Sequence, residues 1–85
     1  MRDTVVIYKW GPIKSDWFPV TGEIVHVGLQ HGDVFVWTEN STDINIRNYT
    51  RRVKLHPTGE PYNGIYHGTV VMPSGFVWHV IESSP

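Results

Sequence analysis

The sequence contains no cysteine. Small secreted domains commonly offset a thin core with disulfides, so that route is closed here and a reducing compartment is the expected setting. Long apolar runs are missing as well. No stretch approaches the ~20 residues of a membrane-spanning helix, and the N-terminal run Val5-Val6-Ile7 is too short for a secretory signal, so no membrane association is expected. Asn40-Ser41-Thr42 and Asn48-Tyr49-Thr50 match the glycosylation acceptor pattern. Without a secretory signal they read as polar loop sequence.

A large charge of either sign is also lacking, the formal net charge being −1. General nucleic-acid binders carry a strong basic excess, so that class is not expected. Catalytic signatures are absent too. There is no G-x-S-x-G elbow and no phosphate-binding glycine loop, and Ser41, Ser74, Ser83 and Ser84 fall in turn or tail sequence. Asp16, Glu23, Asp33, Glu39, Asp43 and Glu60 show no spacing that argues for paired acid–base work. Five histidines occur, yet none has the short His-x-His or His-x₃-His spacing of a metal site. The expectation is a protein that is not an enzyme and uses no metal or cofactor.

What is present is a β pattern. The 85 residues suit one domain, 1–85, with a single thin core. Six short runs rich in β-branched and aromatic residues are separated by turn residues: Thr4–Trp10, Glu23–Gln30, Val34–Thr38, Tyr49–His56, Ile65–Met72 and Phe76–Ile81. His31-Gly32-Asp33 joins the second run to the third as a hairpin, and Pro73-Ser74-Gly75 joins the fifth to the sixth. Ser15–Pro19 reads as a connector and Glu39–Asn48 as a long loop. The expected fold is all-β, a small antiparallel sandwich or partly open barrel of about six short strands. The last two runs carry apolar residues on both parities, which implies cover on both faces. In so short a chain the second cover points to another subunit, hence a homo-oligomer.

The charge is unevenly placed. Arg47, Arg51, Arg52 and Lys54 put four of the seven cations into eight residues, and no acid lies between Asp43 and Glu60. On the fourth run Arg51, Val53 and Leu55 share one parity, while Arg52, Lys54 and His56 form a wholly basic opposite face. With Tyr49 and Tyr62 nearby, this strand is a candidate anion site, because arginine contacts phosphate bidentately and tyrosine stacks on bases. A solvated edge strand would show the same pattern. His67 and His79 lie on the two strands of the last hairpin, roughly opposite each other across its turn, where they form a cross-strand pair or donate to a ligand. The aromatics are too many for one core, and Trp17-Phe18, in a proline-bounded connector, is the pair expected at an interface or pocket.

The C-terminal third carries a resemblance. Thr58-Gly59, Ile65-Tyr66-His67-Gly68-Thr69-Val70 and Val77-Trp78-His79-Val80-Ile81-Glu82 resemble the ending of a family of small phage-encoded proteins of unknown function. Val6-Ile7-Tyr8-Lys9-Trp10 is similar to the family's opening strand, and Gly22-Glu23-Ile24-Val25-His26-Val27 with Val36-Trp37 to its first hairpin. The chain departs from the family at Pro57, where a glycine is usual, and at Ile81, where a phenylalanine is usual. The resemblance implies a phage source and a small size; small phage proteins without enzymatic signatures often act against host defence, so that role, in the host cytoplasm, is the expectation. The leading expectation is capture of a small anionic signal of the cyclic-nucleotide type, in a pocket between subunits. Arg51, Arg52 and Lys54 would hold phosphate. Trp17, Tyr62 or Tyr66 would stack on the base, His67 or His79 would hydrogen-bond, and His56 belongs to the basic face beside them. The alternatives are an inhibitor that docks onto a host defence nuclease or effector, and a minor virion or assembly protein.

Overall fold

The computed structural model describes residues 4–84. Seven strands form: β1 (Val5–Trp10), β2 (Phe18–Thr21), β3 (Glu23–Gln30), β4 (Asp33–Ser41), β5 (Thr50–Pro57), β6 (Ile65–Val71) and β7 (Val77–Glu82). Sheet A has the order β1-β4-β3 and sheet B the order β2-β5-β7-β6. Every pairing is antiparallel. The sheets pack face to face, β3 against β6 and β4 against β2, giving an open sandwich rather than a barrel. Among the described residues no helix is long and apolar enough to cross a membrane.

The β3–β4 hairpin closes through His31 and Gly32, both with positive φ (53° and 81°). That is the primed two-residue turn whose twist matches the strands it joins. The β6–β7 hairpin is held by Met72 N donating to Phe76 O and Gly75 N donating to Met72 O. Between β2 and β3 the chain crosses from sheet B to sheet A at Gly22. Its φ is +105°, and a Cβ there would lie 2.4 Å from Asn40 Nδ2 and 2.6 Å from Glu39 O, so only glycine fits the crossing.

Two expectations are corrected. Phe18–Thr21, expected as connector and turn, is itself a strand at the edge of sheet B, which brings the strands among the described residues to seven. And β4 runs on to Ser41, so the polar loop begins only after it.

The core is aliphatic. Ile13, Val20, Val34, Val36, Val53, Val70 and Val80 are buried between the sheets, with Trp10, Phe18, Ile24, Val27, Leu55 and Met72 packed around them. Each fully buried valine contributes about 1.5–2 kcal/mol of apolar transfer. One polar staple crosses this core. Thr38, fully buried on β4, accepts from Trp10 Nε1 at 2.8 Å and donates to the Thr21 carbonyl of β2 at 2.7 Å. Asn40 Nδ2 donates to the same carbonyl at 2.8 Å. The staple fixes how the two sheets sit on each other, because each donor would otherwise be buried without a partner.

Candidate functional site

Strand pairing decides where the predicted residues go. On β5, Arg51, Val53 and Leu55 face inward, while Arg52, Lys54 and His56 face outward. Val53, Lys54, Leu55 and His56 pair with Glu82, Ile81, Val80 and His79 of β7. The nine predicted residues therefore divide into three groups.

The first group is internal. Arg51 Nη1 lies 3.4 Å from each carboxylate oxygen of Glu82, and His67 Nε2 donates to Glu82 Oε1 at 2.7 Å. The Glu82 side chain is only 9% exposed, and those of Arg51 and His67 31% and 17%. Arg51 Nε is buried without a partner. Arg51 and His67, expected to face a ligand, are instead committed to a neighbouring carboxylate. The reason is a β-bulge: Tyr66 pairs with Ile81 and Gly68 with Val80, so His67 is the extra residue and turns inward. For the same reason His67 does not oppose His79; Thr69 does.

The second group lies on the outer face of sheet B. Trp17, exposed just ahead of β2, has the Lys54 ammonium 4.7 Å and the Arg52 guanidinium 6.0 Å from its ring centroid. Both are within cation–π range. Trp17 and Phe18 part company here, Phe18 packing against the core while Trp17 stays outside.

The third group surrounds a cleft of about 260 Å³ lined by His56, Pro57, Thr58, Gly59, Glu60, Tyr62, Tyr66 and His79. The β5–β6 loop forms one wall and the outer face of sheet B the floor. His56 meets Tyr62 edge to face at 5.4 Å and binds the Glu60 carbonyl through Nε2 at 2.8 Å. His79 is held on both sides, Nδ1 to Thr69 Oγ1 at 2.9 Å and Nε2 to Thr58 Oγ1 at 2.8 Å, and Tyr66 OH bonds Thr69 Oγ1 in turn. His79 thus straps the loop to the sheet, and its ring nitrogens are occupied by the chain itself. The rings left half-exposed at the cleft are Tyr62 and Tyr66. Lys54 follows His56 along the same face about 6.6 Å away, two residues of strand rise. The second and third groups are therefore neighbours on one surface.

Sequence reasoning missed Thr58, Thr69 and Glu82. The threonines lie inside the motifs that carried the resemblance. Glu82 shares its parity with Trp78 and Val80, which marks an acid on an inward face. Among the described residues no cluster of three or more histidines and carboxylates is gathered as a metal site would be.

A family model described as a domain of unknown function, DUF7352, matches residues 5–85. The chain belongs to this family. The match spans both sheets and all three groups, so the sandwich and its outer face belong to one family unit. No curated protein and no solved structure shows significant similarity to the chain.

Proposed function

We propose that this chain is a phage-encoded binding protein that captures a small anionic ligand with an aromatic base, of the cyclic-nucleotide type, and holds it without cleaving it, lowering the signal available to host defence. The observation that carries this reading is the convergence of Tyr62, Tyr66, His56 and His79 on one cleft, beside the outward cations of β5. In this reading Tyr62 and Tyr66 stack on the base, the Thr58–Gly59 loop offers polar contacts, and Lys54 with Arg52 attracts the phosphate. The cleft's 260 Å³ lies just below the roughly 300–1,000 Å³ of drug-sized sites. That suits a mononucleotide better than a larger cyclic oligonucleotide. The phage source rests on the resemblance of the C-terminal motifs.

A thermal-shift panel of cyclic and linear nucleotides tests the reading, because a ligand that binds only the folded chain raises its melting temperature. At least one cyclic nucleotide should raise it by several degrees at millimolar concentration, and mass spectrometry should recover that nucleotide intact. Tyr62→Ala with Tyr66→Ala should remove the shift. A flat panel overturns ligand capture.

One observation favours a second reading, docking onto a host defence protein: Trp17 stands exposed between two cations, and tryptophan and arginine are the residue types richest in interface hot spots. A flat panel together with a host effector that binds the wild-type chain, but not Trp17→Ala, would establish that alternative.

A further inference from the structure

A two-sheet sandwich has four edges, and three of them are blunted. The β3 edge carries a bulge between Ile24 and His26. The β6 edge carries another between Tyr66 and Gly68. The β2 edge contains Pro19, which has no N–H to offer. Bulges and prolines are the devices by which sheet edges avoid further pairing. The β1 edge has neither. Its register with β4 is unbroken from Val5↔Ser41 to Trp10↔Val36.

The β1 strand is also uncovered. Val5, Val6, Ile7 and Tyr8 are 48%, 37%, 60% and 49% exposed, so apolar side chains stand free on both of its faces. The cause is topological. β3 packs over β6 and β4 over β2, and among the described residues no strand of sheet B packs extensively against β1. The strand is nonetheless held rigid at both ends: Thr42 N and Thr42 Oγ1 bond the Thr4 carbonyl, and Trp10 Nε1 bonds Thr38.

We infer that β1 pairs antiparallel with β1 of a second copy, joining two three-stranded sheets into one of six strands, β3-β4-β1 continued by β1-β4-β3 of the partner. Two arguments select a second copy, and the area available sets how firmly it is held. The strand's one charge is withdrawn from the edge, since Lys9 Nζ donates to Gln30 Oε1 at 2.6 Å and lies 5.0 Å from the Phe35 ring centroid. The edge therefore asks for a neutral apolar strand, and β1 itself is one. Second, a two-fold axis normal to the sheet keeps each face on its own side. With the axis at Ile7, Ile7 meets its own copy, Val6 meets Tyr8, and Val5 meets the aliphatic stem of Lys9. The strand is thus its own complement. The area is small. Burying the exposed parts of these residues removes on the order of 300–400 Å² per copy, under the roughly 800 Å² per partner of a standard interface. An interface of that size makes a weak, reversible pair.

This dimer turns the outer faces of both B sheets to the same side, since the axis runs through the stacked layers. It does not depend on what the cleft binds. Sedimentation velocity of the full chain from about 1 to 500 µM tests it. The weight-average mass should rise toward twice that of one chain. Ile7→Lys, at a 60% exposed position, should weaken dimerisation tenfold or more and keep the wild-type melting temperature within about 2 °C. Phe76→Lys, at the 69% exposed residue of the β6–β7 turn, should leave dimerisation unchanged. Hydrogen exchange gives a readout without substitution: amides of β1 should slow as concentration rises while those of β2 do not. A chain monomeric throughout, or a dimer indifferent to Ile7→Lys and broken by Phe76→Lys, overturns the inference.

Discussion

Arg51 and Arg52 are adjacent on β5 and point to opposite sides of sheet B. Arg51 turns toward the interior, shares Glu82 with His67, and leaves its Nε buried without a partner. Arg52 turns outward, where its guanidinium lies over Trp17 and the side chain stays exposed. The two side chains have the same charge and the same five donors. What separates them is the strand's period of two. One position taxes the fold with desolvation that only Glu82 offsets. The other leaves the charge in water, free to meet something from outside.

That contrast can be broken or sharpened by substitution, and chemical and thermal unfolding give the readout. The largest effect should come from Glu82→Ala, which strands a half-buried arginine and removes the acceptor of His67. A loss of about 2–3 kcal/mol is expected, a fall of roughly 10–20 °C in Tm for a domain this size. Thr38→Val follows, because it leaves the Trp10 indole N–H without an acceptor and cuts one tie between the sheets; about 1–2 kcal/mol is expected. Arg51→Ala should cost less, about 1 kcal/mol, since its contacts to Glu82 are long and the side chain is about a third exposed. Arg52→Ala should fall within about 0.5 kcal/mol of wild type. Equal losses for the two arginine variants would abolish the distinction between the faces. A cyclic-nucleotide shift retained by Arg51→Ala and weakened by Arg52→Ala with Lys54→Ala would extend the distinction from stability to binding.

Much of the architecture was legible because turns and parity speak locally. His31-Gly32-Asp33 announces a tight hairpin, though not that Asp33 already belongs to the strand. The alternation along residues 51–56 separates the inner and outer faces of β5 before any partner strand is known. β2 was not legible, because Pro19 argues against a strand, and only its place at a sheet edge removes that objection. The His67–His79 pairing failed for a reason no alternation reveals: one extra residue in β6 reverses the direction of every side chain before it. Arg51 was visible as a member of the Val53–Leu55 face, but its ion pair required knowing that β5 lies beside β7. On the last two strands a single chain covers its apolar residues only in part: Ile81 is 1% exposed, whereas Ile65, Tyr66, Val71 and Phe76 stand open. The threonine bridges of His79 depend on a loop folding back over a sheet, a long-range closure that the residues from Pro57 to Gly64 do not advertise.

Gly68 lies against Val27, where an added Cβ would come within 3.3 Å of the valine Cβ. The two layers therefore clasp tightly along the β3–β6 margin, while the opposite margin, at β1, stays unfastened. The domain has a spine on one side and a single open hem on the other. Whatever is stitched to that hem is stitched once: a head-to-head match consumes both free borders and offers nothing for a third molecule to extend. In the proposed dimer the exposed strand of each copy is used up, which leaves no edge from which a filament could grow.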